Sequence, residues 1–267
     1  MIRARFVAIP SLASMVIALL LTTAATGAAS AEMSLDQVNA LLKAASPAKP
    51  ADLAGKDLSD LDLSKLDFRQ AHLRGTSFFG SKLVLADFRG ANLEGANLNG
   101  AWLMGTDFSG ANLTKASLLS VVILGGEVKK MPVFKGANMT GVKMIADLPG
   151  ADLSGANLSN AMVGVNIKNQ GMGQMRTDLN GANLAGANLA GSDFNRSVMN
   201  FSNLRGGNLR GVSFYLVRLA GADLTGADVT GADFTEADLD GTIFKDAKGF
   251  DQAKGIDRAS NRDKLIR

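Results

Sequence analysis

From residue 51 onward a large apolar residue stands at every fifth position. The first series begins Leu53, Leu58, Leu63, Phe68 and runs through Leu103, Phe108 and Ile123 to Val128 and Val133, seventeen centres in phase. A second series of fourteen runs from Leu179 to Phe244, and Leu148, Leu153, Leu158 and Val163 keep the same spacing between the two. A strand brings one face round every second residue and a helix every 3.6, so neither can hold a period of five on one face. The chain must turn once per repeat. Two residues before most centres stands a small residue, as at Ala86, Ala91, Ala96, Ala111, Ala182 and Ala227. Each repeat therefore offers two inward positions, one large and one small, to a narrow interior. Asp or Asn before the centre and Gly at the repeat's end supply turn chemistry, through side chain to backbone bonds and positive φ. Such repetition predicts a solenoid.

Ala-Asn-Leu-Glu-Gly at 91–95, Ala-Asn-Leu-Asn-Gly at 96–100 and Ala-Asp-Leu-Thr-Gly at 222–226 resemble the pentapeptide-repeat family, over about three quarters of the chain. The resemblance implies an all-β fold, a right-handed quadrilateral β-helix with four pentapeptides per coil and about nine coils, at ~4.8 Å per coil. Ends of such a stack need covering. Ser34 and Gln37 form a capping-box pattern ahead of Val38, Leu41 and Leu42, predicting a short helix over 34–43 within an N-terminal helical cap and linker, 32–50. The β-helix is expected over 51–244, with an irregular insertion at 135–178, and a charged C-terminal cap or tail over 245–267.

Residues 1–31 read as a signal peptide. Arg3 and Arg5 precede the apolar run Met15 to Leu21, and Ala29-Ser30-Ala31 offers an A-x-A cleavage site. The run is too short for the ~20 residues of a membrane span, so the expected product is exported, periplasmic or secreted, without a stable span. Of 28 basic and 25 acidic residues in all, cleavage removes two arginines and leaves a net charge of +1. A near-neutral chain lacks the electrostatic footprint of a nucleic-acid binder. It also departs from the DNA-mimicking, gyrase-binding members of the family, which the resemblance would otherwise bring in as an alternative, because mimicry requires a strongly acidic rod.

With no Cys and one His, His72, the chain cannot assemble a thiol nucleophile, a thiolate metal site or a zinc shell with a separate base. The aspartates occupy the repeat's turn slot, and Glu127, which breaks the pattern, stands beside Lys129 and Lys130. The sequence thus points to a non-enzymatic protein with no cofactor. Six of the eleven methionines lie between Met131 and Met175, and Met172 and Met175 have a spacing that thioether ligation of Cu(I) would suit. Methionine equally fills gaps in cores, and no metal site is assigned.

Stacking positions twenty residues apart turns the sequence into a map of the outer faces. Arg69, Arg89 and Lys129 gather beside Asp67, Asp87, Asp107 and Glu127, which predicts local neutralisation, and Arg74 stacks with Glu94. Another face collects Val84, Trp102, Met104, Val122 and Leu124 where other repeats carry Asp, Asn, Ser or Thr. Such a patch marks a contact surface, unless Met131 to Ile145 folds back over it. Insertions in solenoids also bind, which adds Met172, Met175 and Arg176 as candidate contacts. The expected function is an exported scaffold or interaction module that binds a protein or envelope component, with self-association left open.

Overall fold

Each pentad forms one side of a square, and each side pairs with the same side of the coil below. The computed structural model describes residues 33–123, 130–164 and 176–267. A first side stacks Asp52, His72, Asn92 and Asn112; a second stacks Asp57, Ser77, Asn97 and Ser117; a third stacks Asp62, Lys82, Trp102 and Val122; a fourth stacks Asp67, Asp87 and Asp107. All these pairings are parallel. Strand β1 (Ala51–Asp52) pairs with β2 (Ala71–His72) on the first side, and β3 (Ser117–Leu119) with β4 (Lys143–Ile145) on the second. Followed to Lys248, Lys254, Ser260 and Ile266, the four columns give ten coils rather than nine.

One repeat shows how the period of five closes the corner. Phe88 donates its N–H to the Asp107 carbonyl above at 2.8 Å, and Asp87 donates to Leu66 below at 2.9 Å. Asp87 Oδ1 accepts from the Arg89 N–H at 3.0 Å, Gly90 takes φ 68°, and Ala91 donates back to the Phe88 carbonyl at 2.9 Å. Gly is the cheap residue for that left-handed step. Phe88 and Ala91 point inward and are buried, as the large-and-small pattern predicts. Thr106, in a small inward slot, satisfies its hydroxyl on the Leu83 carbonyl at 2.7 Å. Stacking continues inside: on the fourth side Phe68, Phe88, Phe108 and Phe134 lie 4.6, 5.1 and 5.2 Å apart, centroid to centroid.

Helix α1 (Leu35–Ala44) covers the first coil. Its capping box forms as the sequence predicts, with Ser34 N–H donating to Gln37 Oε1 at 2.9 Å and Gln37 N–H to Ser34 Oγ at 3.3 Å. Val38 is buried in the core that Leu53 and Leu58 begin, and Met33 N–H reaches the Asp57 carbonyl at 3.3 Å.

Three features depart from the sequence reading. Val133 is not a centre: it faces outward, half-exposed, above Asp107, and Phe134 is the buried residue. Asp107 to Val133 spans 26 residues instead of 20, so the register slips just after Ile123, and Val128 lies outside the described residues. Val at 133 fits the beat by type alone, which is why periodicity missed a one-residue shift. The expected insertion at 135–178 divides differently. Phe134 to Val163 is regular β-helix apart from one shortened corner, while Asp147 pairs with Asp178, 31 residues on, which places eleven extra residues between Val163 and Asp178. The slot above Asp107 is held by Val133, and Glu127 and Lys129 lie outside the described residues.

The charged C-terminal stretch is the tenth coil itself. Its sides lengthen as Asp233 pairs with Lys254, Asp238 with Ser260 and Ile243 with Ile266, and the surplus is taken up by 3-10 turns at Phe250–Gln252, Ile256–Arg258 and Arg262–Lys264. Arg267 lies over the Phe250 ring, 4.2 Å from its centroid.

A buried ring in the middle of the stack has no route to relaxation. Phe108→Ala should cost about 3–5 kcal/mol, read as a lowered urea midpoint; a loss under about 1 kcal/mol would contradict the packing described.

Candidate partner-binding face

Polar ladders run along much of the rod. On the first side, Asn112 Nδ2 donates to Asn92 Oδ1 at 3.1 Å, Asn188 to Asn157 at 3.0 Å and Asn208 to Asn188 at 2.9 Å. On the fourth, Asn203 donates to Asn183 at 3.2 Å, and Arg69 and Arg89 pair with Asp67 and Asp87, both at 2.6 Å. These ion pairs hold the Asp67 and Asp87 carboxyls below the ordinary aspartate range, mainly through the arginine hydrogen bonds. His72 is exposed on the first side, as expected.

The third side has such bonds too, Asn200 N–H donating to Asn180 Oδ1 at 3.0 Å and Asn261 Nδ2 to Asp238 Oδ1 at 2.8 Å, but it also places Trp102, Val122 and Val198 outward. Its outward slot carries Lys82, Trp102, Val122, Asp147, Asp178, Val198, Arg218 and Asp238 on successive coils. Val84, Trp102 and Val122 are half-buried here, but Met104, expected to face outward with them, is only 3% exposed. Gly105 N–H beside it donates to the Lys130 carbonyl at 2.6 Å, so the chain returning from the register slip lies against this corner. Leu124, Met172 and Met175 lie outside the described residues, and Arg176 is exposed.

Backbone pairing on this side breaks once. Ser120 N–H still donates to Ile145 at 2.9 Å, and above the break Leu148 donates to Asp178 at 2.7 Å. No ladder bond joins Val121–Ile123 to Ala146–Leu148. From Met144 to Leu148 the corner has four residues in place of five, and the coil below carries its six extra residues directly after Ile123. The two sides therefore separate, and a cavity of about 570 Å³ opens between Val121, Val122, Ile123, Ile145, Asp147 and Arg176. It joins Val122 from the predicted patch with Arg176 from the predicted insertion contacts. Ile145, Asp147 and Asp178 escaped the sequence reading, although the four-residue interval Met144 to Leu148 was the available signal.

Charge within this side is unevenly placed. Asp147 stacks on Asp178; burial first, then the Asp178 charge, pushes the Asp147 carboxyl up. Asp178 accepts from its neighbour Asn180, backbone N–H at 2.8 Å and Nδ2 at 3.1 Å. Above them Arg176, Arg196 and Arg218 line a groove of about 260 Å³ with Leu216 and Glu236. Among the described residues none of these three arginines forms an ion pair, whereas Arg205 meets Asp223 at 2.7 Å and Arg210 meets Asp228 at 3.0 Å. Among the described residues no group of three His, Cys, Asp or Glu is placed to hold a metal ion.

Backbone strain also gathers here. Twelve described non-glycine residues have positive φ, and nine of them border the third side. Asp60, Ser120, Arg196, Leu216 and Glu236 stand on one edge; Lys65, Leu85, Phe201 and Asn261 on the other. Gly fills most of the corresponding corners elsewhere. A left-handed L-residue costs roughly 1–2 kcal/mol, and such strain persists where the side chain is needed. Phe201 is the extreme case, at φ 57° and 74% exposed, its ring over Gly221.

A family model for pentapeptide repeats matches residues 51–80, 81–118, 146–163, 177–214 and 213–248 in eight copies. The chain belongs to the pentapeptide-repeat family. With it comes the right-handed quadrilateral β-helix that the four columns of parallel bridges describe. Among solved members, the chain is similar to HetL, a protein involved in heterocyst differentiation regulation from the cyanobacterium Nostoc, at 24% identity over 88% of this chain and 100% of that one, TM-score 0.38. A pentapeptide repeat protein of the Arabidopsis thaliana thylakoid lumen shows 34% identity over 44% of this chain and 70% of its own, TM-score 0.25. QnrB1, a plasmid-mediated fluoroquinolone resistance protein, shows 20% identity over 76% and 78%, TM-score 0.26. No curated protein matches the chain.

Two outcomes follow for dilute protein. Phe201→Gly removes left-handed strain and little packing, so it should raise stability by up to about 1 kcal/mol in thermal unfolding; a loss of stability would refute the strain assignment. Asp147, its carboxyl raised in the folded state, favours folding most below its ordinary value of 3.8 and loses that contribution as pH rises through its folded value. Asp147→Asn should therefore be the more stable protein at pH 7, with the difference shrinking below pH 3.8. An equal difference at both pH values in urea unfolding would contradict this.

Proposed function

We propose that the protein is an exported, non-enzymatic binding rod whose third side takes a protein partner. The observation that carries this reading is the third side's combined departure from the repeat: a broken ladder, an apolar cavity, arginines that form no ion pair among the described residues, and strained corners on one face. Contact surfaces collect apolar area and arginine in this way. A non-catalytic role is supported by the aspartates, whose carboxylates serve the turns, as Asp152 does for Ser154 N–H at 3.0 Å and Asp228 for Thr230 N–H at 3.0 Å. Export is supported by the charged, apolar and small-residue segments of Met1 to Ala31.

DNA mimicry fits less well. A phosphate-like array needs acids without counter-charges, yet Asp67, Asp87, Asp223 and Asp228 each have an arginine within 3.0 Å.

A photo-crosslinking residue placed at Val122, or at Asn112 on the first side, separates the readings in living cells. Adducts with polypeptide from position 122 only, recovered outside the cytoplasm on chains beginning at Glu32, are expected. Equal adducts from position 112, or none from 122, would sink the binding face; adducts only on cytoplasmic chains beginning at Met1 would sink export.

A further inference from the structure

We propose that the partner on the third side is a second copy of this chain, packed antiparallel about a two-fold axis lying across that side between Asp178 and Val198. The inference rests on the third side being the binding face. Asp147, Asp178, Val198 and Arg218 occupy the same slot on four successive coils. The axis reverses the order of the coils and keeps the slot, so Arg218 falls opposite Asp147 of the other copy, and Val198 opposite Asp178. Two residues earlier in each repeat, Leu216 falls opposite Ile145. Each copy thus brings Leu216 and Arg218 to the other's cavity, whose walls are Val122 and Ile145 beside the carboxylate of Asp147, while Asp238 falls opposite Val122 at its edge.

Three observations select this occupant. The side carries both acids, Asp147, Asp178 and Asp238, and bases, Lys82 and Arg218, so a partner of uniform charge would meet like charge on some coil, whereas an antiparallel copy meets opposite charge at Arg218 and Asp147 twice. Leu216 holds a left-handed corner at φ 56°, where glycine would be cheaper, and the cavity gives its side chain a use. Arg176 falls opposite Arg196 at the rim, but the Arg196 guanidinium turns over the Tyr215 ring on the neighbouring side, 5.8 Å from its centroid, which separates the two charges. A two-fold contact is closed, so association stops at two.

Sedimentation velocity of the full exported chain tests the arrangement. Wild type should be a dimer at micromolar concentration. Arg218→Asp and Asp147→Arg should each weaken dimerisation about tenfold or more, consistent with interfacial charge pairs, and the double variant should recover most of the loss because both pairs are restored in reverse. Leu216→Gly, which suits the positive φ, should weaken the dimer without lowering the melting temperature of protein dilute enough to be monomeric. A wild-type monomer at ~100 µM would overturn the proposal. So would a dimer indifferent to the single variants, or a double variant no better than either single. Crosslinks from position 122 to a different polypeptide, with no self-adduct, would overturn this inference and leave the binding face standing.

Discussion

The constraint on which the structure depends is the corner. A side of the square has room for three extended residues, and its ends must turn through about a right angle before the chain can pair with the coil below. Asp or Asn before the centre fixes the turn through its own following N–H, and a left-handed residue closes it. Because a side bonds to the coils both above and below it, as Phe88 does to Asp107 and Asp87 to Leu66, the spacing of corners sets the register of the whole ladder. A corner of the wrong length cannot be absorbed locally. It either lengthens the interval between paired sides, as from Asp147 to Asp178, or parts two coils, as between Val122 and Asp147.

That rigidity gives the third side its character. On the first and fourth sides many outward slots hold amides that bond to one another up the rod, and Arg69, Arg89, Arg205 and Arg210 find acids on the same or the next coil. Where the shortened corner before Asp147 meets the surplus residues after Ile123, the ladder lapses, Val122 and Ile145 stay half-buried, and Asp147 stacks on Asp178 with no ion pair among the described residues. The strained corners at Arg196, Phe201 and Leu216 flank the same side. Disruption and strain on one face out of four are what support the proposed contact surface.

The repeat, the inward positions, the helix with its capping box and the neutralised arginine ladder were all legible in the sequence, because each is written as a local pattern. The register was legible only while the period held. Val133 satisfied the beat as a residue type, and only pairing with Asp107 distinguishes it from Phe134. The same slip hid the cavity, since Val122 and Asp147 become neighbours only after the extra residues are counted out. The tenth coil was concealed because its sides have lengthened by one residue after another, which reads as loss of pattern in a charged tail. Of the patch residues, Val84, Trp102 and Val122 remain at the surface; Met104 does not, because burial at a corner depends on what the returning chain does at Lys130.

Hydrogen exchange resolved to single amides tests the central claim, that one side's ladder is broken between two intact coils. In dilute protein the account predicts that Ile123 and Asp147 exchange fast, while Leu103, donating to Val122 at 3.0 Å, and Leu148, donating to Asp178 at 2.7 Å, stay protected. Uniform protection across all four amides would mean the ladder is continuous, and the reading of the third side would fall with it.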